Sequence, residues 1–346
     1  MKKLIILLLL LPAILIPVHA DEYEIPQAPS DVYEYMPSES ETFAQGLLYI
    51  LTKAVANLSP ELSDAIRTCL LVLTVSLAMA ILSSLNGTAK NMAELVGVIF
   101  TAFTLLDSTH SMIRLGTDTI IRMDNYGKLL LPVMAAALTA SGGVSMSAAL
   151  YGGTAIFSSV LTSVIRRAFI PLLYALIALY IAGRAMKEDV LGSLKQFIKW
   201  LLTWVLKAVL YLFTGYITVS GVVSGSADAM ALKATKITVS GMIPVVGSII
   251  SDASEAILVG AGVMKSAAGI YGIFAFLAIC IGPVLKITLH CIALKVTAAL
   301  CGIFGSKCQS GLVEDFSQCM SLILAATGAV CLLLTISVVV FMKGVS

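Results

Sequence analysis

Uninterrupted apolar runs of near-membrane length are what most constrain this chain. Thr68–Leu85 is the first, and Met92–Leu106 follows after the short polar turn Asn86-Gly87-Thr88-Ala89-Lys90-Asn91. Further apolar stretches lie at about 129–140, 148–165, 168–183, 200–223, 241–251, 263–285, 287–304 and 320–342. A soluble chain of this length needs a polar exterior and usually divides into domains of about 100–150 residues. Here 59% of the residues are hydrophobic and only 12% charged, about half the charged share of an average globular domain. Helices facing lipid can be apolar all round. The expected fold is therefore all-α, a polytopic helical membrane bundle.

We count eight spans, with ten as the alternative, because some runs are shorter than a full crossing. Leu129–Ala140 and Gly241–Ser251 each hold a proline and end at polar or glycine-rich sequence, Ser141-Gly142-Gly143 in the first case. Such segments read as re-entrant or broken helices. After Pro60 only Pro132, Pro171, Pro244 and Pro283 remain, and they form two pairs, each with the same 112-residue offset. Leu131-Pro132-Val133 corresponds to Ile243-Pro244-Val245, and Ile170-Pro171-Leu172 to Gly282-Pro283-Val284. The pairing predicts an internal duplication with Pro-broken segments, a common plan in transport folds.

The first twenty residues carry Lys2-Lys3, an apolar core, Pro17 and then Val18-His19-Ala20, which is the pattern of a cleaved signal peptide. The next stretch holds Asp21, Glu22, Glu24, Asp31, Glu34, Glu39 and Glu41, with no basic residue until Lys53. It reads as an extended, solvated tail outside the cytoplasm. The predicted organisation is a signal peptide over 1–20, an acidic extracytoplasmic tail over 21–45, a helical hairpin and surface helix over 46–128, and membrane repeat units over 129–240 and 241–346. The surface helix rests on the mixed stretch Asp107–Lys128, where Arg114, Asp118, Arg122 and Asp124 read as a solvated face.

Ionisable residues inside apolar helices are costly and therefore mark candidate sites. Glu94, Lys207, Asp252, Glu255, Lys286, His290 and Lys295 qualify. Lys286 and His290 stand four apart on one helical face, and Asp252 and Glu255 three apart. With Lys207 they outline a candidate polar pathway. The bland alternative is that the lysines snorkel from helix ends while the two acids cap a helix N-terminus. No catalytic, cofactor-binding or metal-binding signature is present, neither H-E-x-x-H, G-x-S-x-G nor a Walker A motif. The seven cysteines include no C-x-x-C pair and mostly lie in apolar runs. Cys308 and Cys319 flank a polar loop, and a bridge between them would require that loop to lie outside the cell. With a net charge of +2 and no dense basic patch, nucleic acid is not an expected partner.

The stretch Lys233-Ala234-Thr235-Lys236 through Gly241-Met242-Ile243-Pro244-Val245-Val246-Gly247, then Ser251-Asp252-Ala253, resembles the stage III sporulation protein AE family of endospore-forming bacteria. So do Leu210-Tyr211-Leu212-Phe213-Thr214-Gly215 and Ser220-Gly221-Val222-Val223-Ser224. The resemblance runs from about residue 45 to the end. It implies a non-enzymatic subunit, without cofactor, of a mother-cell-to-forespore sporulation channel. The implied location is the mother-cell membrane around the forespore, where the channel sustains late sigma-factor activity. The implied partners are the other stage III A proteins and the forespore Q protein, within the lipid bilayer. The rival reading is a stand-alone secondary transporter, with Asp252, Glu255 and Lys207 as coupling groups.

Overall fold

The computed structural model describes residues 25–37, 43–83, 88–186, 191–242, 247–303 and 307–344. Side-chain surroundings are defined within them except at 83, 88–91, 93, 221–242 and 247–265. The expected signal peptide over 1–20 and Pro244 fall outside the described residues.

Every regular element described is helical. A 3-10 turn, Ser30–Tyr35, precedes α1 (Phe43–Ala56), α2 (Ser59–Ser83), α3 (Thr88–Ala140), α4 (Val144–Val164), α5 (Ile170–Met186), α6 (Gly192–Met242), α7 (Gly247–Ile303) and α8 (Lys307–Lys343). A π turn, Ile165–Phe169, joins α4 to α5 without a break. Six described helices are long and apolar enough to cross a membrane. This is fewer than the eight expected from the apolar runs, because neighbouring runs fuse. The runs at 92–106 and 129–140 both belong to α3, those at 148–165 and 168–183 to the α4–α5 helix, and those at 263–285 and 287–304 to α7. Single charges such as Lys286 do not end a helix, since lysine is a good helix former.

Pro132 and Pro283 do not break their helices either. Pro132 lies inside α3 and Pro283 inside α7, so Leu129–Ala140 is the last three turns of a longer helix, and not the re-entrant segment expected. An interior proline costs about 3 kcal/mol. Against that stand Leu130, Leu131 and Met134, all buried around Pro132, each worth about 1.5–3 kcal/mol. Packing wins. The helix stops instead at Ser141-Gly142-Gly143, where Gly142 takes a positive φ of 94°. Gly143 N–H donates to Leu138 C=O at 3.0 Å and Gly142 N–H to Thr139 C=O at 2.9 Å, the paired bonds of a Schellman cap.

α8 is the axis of the bundle. It packs against α7 and α3 most extensively, and also against α4, α5 and α6. Phe316, Met320, Ile323, Val330, Leu334, Val338 and Phe341 on it are all buried. α3 also packs against α7, and α2 packs against α3 and α7. Stretch 107–128, expected as a surface helix, is the middle of α3, where Ile113, Ile120 and Met123 are buried in the core.

At 53 residues α3 is about 80 Å long, well beyond a hydrocarbon layer of about 30 Å. The 43 residues of Val144–Met186 extend for about 65 Å. These helices must project out of the bilayer.

The acidic tail departs most from expectation. Residues 25–37 are not a solvated strand but lie against the bundle, with Ala28 and Val32 buried. Tyr271 Oη accepts from Ala28 N–H at 3.0 Å, and Tyr126 Oη donates to Pro26 C=O at 3.1 Å. Arg122 pairs with Asp31 and Lys53 with Glu34 at 2.9 Å. The few apolar residues among the acids, with bundle tyrosines and cations to meet them, are sufficient to hold the segment down.

Candidate functional site

Polar groups gather at three seams between helices. At the first, Lys286 Nζ on α7 donates to Glu61 Oε1 on α2 at 2.5 Å. Both side chains are mostly covered, at 33% and 24% exposure. His290 follows one turn along α7 and is buried, with no hydrogen bond to Nδ1. The lysine of this four-residue pair is held by a carboxylate that lies 225 residues away in sequence.

At the second seam Asp124 on α3 is buried. It accepts from Lys128 Nζ at 2.6 Å and from Ser158 Oγ on α4 at 2.8 Å. Reading Asp124 as part of a solvated face was therefore incorrect: α3 packs on both sides here, and its carboxylate turns to the α4 seam. A cavity of about 310 Å³ opens beside it, lined by Asp124, Lys128, Ser159, Thr162, Ser163, Arg166 and Arg167.

The third seam joins α5, α6 and α8. Arg184 Nε donates to Asp315 Oδ2 at 2.8 Å, and Lys199 Nζ to Gln318 Oε1 at 2.8 Å. A cavity of about 680 Å³ is lined by these residues together with Tyr180 and Lys195. Gly311 lets the guanidinium in, since a Cβ there would stand 2.4 Å from Arg184 Cζ.

The remaining candidates are dispersed. Lys207 on α6 and Lys295 on α7 are exposed, as snorkelling lysines are. Asp252 and Glu255 belong to α7, and their side chains lie outside the described set. Pro171 occupies the first turn of α5, directly after the π turn. Among the described residues no group of three His, Cys, Asp or Glu is placed to hold a metal ion. Glu61, Asp124 and Asp315 do not stand out in the sequence as seam residues because each stands in mixed or helix-end sequence, where a charge is ordinarily solvated. The one signal in the sequence is a carboxylate five to seven residues before an apolar run, at Thr68 for Glu61, at 129 for Asp124 and at 320 for Asp315.

A family model described as stage III sporulation protein AE matches residues 32–344. The chain belongs to this family. Among curated proteins, stage III sporulation protein AE of Bacillus subtilis (strain 168) is 25% identical over 236 residues, covering 68% of this chain and 59% of that relative. The aligned region thus spans less than two thirds of the relative's length. No solved structure matches the chain. In this member of the stage III sporulation protein AE family, then, the features that stand out are ion pairs clamping helices from distant parts of the sequence. Lys286–Glu61 ties α7 to α2, and Arg184–Asp315 ties α5 to α8.

Proposed function

We propose that this chain is a non-enzymatic integral membrane subunit of the mother-cell-to-forespore sporulation channel. In this reading it sits in the mother-cell membrane around the forespore and acts with the other stage III A proteins and the forespore Q protein. The family match over residues 32–344 carries the proposal. Support comes from six helices of membrane-crossing length and from polar groups whose partners are other helices, an arrangement suited to holding a bundle in one shape. We also read 129–240 and 241–346 as duplicated units. The long α4–α5 helix and α7 each carry their proline, Pro171 or Pro283, well inside one continuous helical run.

The rival is a stand-alone secondary transporter. The covered Lys286–Glu61 pair beside the unpartnered His290 Nδ1 is what favours it, since buried ionisable groups mark ion pathways. Proteoliposomes holding only this chain separate the two. The channel-subunit reading expects inert vesicles, co-purification with stage III A partners from sporulating cells, and loss of forespore late sigma-factor activity on deletion. Solute flux in those vesicles that Glu61→Gln abolishes would establish the transporter instead.

A further inference from the structure

We propose that the cavity between α3 and α4, beside the π turn, is a binding site for a phosphate-bearing anion. Its cationic side is built locally. Ser159, Thr162, Ser163 and Arg166 recur at three- and four-residue steps and so share one face of the helix that runs from α4 into the π turn. Pro171 lacks the N–H that would bond to the carbonyl of Arg167, and its ring crowds that carbonyl. The chain takes the wider turn instead, with Ile170 N–H donating to Ile165 C=O. Single π turns of this kind re-aim side chains and are frequent at functional sites. Both Arg166 and Arg167 line the cavity, and neither has an ion-pair partner among the described residues.

The cavity's charges do not cancel. Asp124 is already taken up by Lys128 and by Ser158, which leaves the two guanidinium groups over. A second observation points to an absent ligand. Thr162 is 7% exposed, lines the cavity, and its Oγ1 has no hydrogen-bond partner. A buried hydroxyl without a partner is costly, and a phosphate oxygen would accept from it. Arginine forks match phosphate oxygens in pairs, and serine hydroxyls supplement them.

Depth narrows the source. From Arg167 to Arg184 the helix advances by about 26 Å, close to the thickness of a hydrocarbon layer of about 30 Å. Arg184 itself opens onto the other basic cavity. The α3–α4 cavity is therefore level with phospholipid headgroups at one end of the α5 crossing, where basic pockets between helices hold anionic lipid.

The test is native mass spectrometry of the full chain in detergent with phosphatidylglycerol, phosphatidylcholine or inorganic phosphate. Wild type should retain phosphatidylglycerol in preference to phosphatidylcholine. The double change Arg166→Gln with Arg167→Gln should lower retention by about tenfold or more, as lost charged hydrogen bonds do. Arg114→Gln, a change to an exposed residue elsewhere on α3, should leave it unchanged. Failure of inorganic phosphate to compete assigns the site to a lipid headgroup, and effective competition assigns it to a soluble phosphate compound. Should the double variant misfold, Thr162→Val, which keeps both arginines, must still weaken retention. Equal retention by wild type and variants, or no preference over phosphatidylcholine, overturns the proposal.

Discussion

Glu61, in the first turn of α2, accepts a hydrogen bond from Lys286 in the middle of α7 at 2.5 Å. The pair pins the start of the N-terminal hairpin to the C-terminal half of the chain. Because both side chains are more than half covered, removing one leaves the other partly desolvated and unpaired, which costs more than losing an exposed pair. We expect Glu61→Gln and Lys286→Met each to lower stability by about 1–2 kcal/mol. The double variant should lose less than the sum. Thermal unfolding in detergent, analysed as a double-mutant cycle, checks this, and strict additivity would refute the coupling.

Gly153 on α4 meets the ring of Tyr216 on α6. A Cβ at Gly153 would stand 1.9 Å from Cε1 of that ring, and Tyr216 is also anchored by its hydroxyl to Ala149 C=O at 2.9 Å. Neither side yields easily. Gly153→Ala should therefore destabilise the α4–α6 seam by about 1–3 kcal/mol, and adding Tyr216→Leu should recover part of it. Thermal midpoints of the single and double variants decide.

The docked N-terminal segment makes a pH-dependent contact outside the membrane-crossing helices. Lys53 is half-exposed, and the hydrogen bond and negative charge of Glu34 hold its amine above the ordinary lysine value. A raised folded-state value means that the contact's contribution is fully present below the unfolded lysine pKa of about 10.4. It fades as pH rises through the raised value. Thermal midpoints of wild type and Lys53→Met should thus differ at neutral pH and converge in strong alkali. A gap that persists there would show that the contact does not depend on the lysine charge.

Thiol reactivity should follow burial. Cys308 is half-buried, whereas Cys280, Cys291, Cys301 and Cys319 are buried, and all seven cysteines are free. Cys308 and Cys319 stand eleven residues apart on the single helix α8, about 16 Å along its axis, too far for a disulfide. Maleimide labelling of the native protein should modify Cys308 well before Cys319, and oxidant should not join them. Intact-mass and peptide mapping would reveal a bridge if one formed.

Local chemistry made the class of this protein and several of its boundaries readable. Apolar runs imply helices in lipid because only a helix satisfies its own backbone there, and Ser141-Gly142-Gly143 marks a helix end because glycine accepts a positive φ. Such features need no knowledge of what lies across the bundle. Tertiary structure decided what depends on a partner. Whether Pro132 breaks α3 turned on the packing of Leu130, Leu131 and Met134. Whether Asp124 is solvated turned on Ser158 across the α4 seam, and the lie of the acidic tail on Arg122, Tyr126 and Tyr271. Burial and pairing are sums over neighbours that are remote in sequence, so one window of residues carries only half of each interaction.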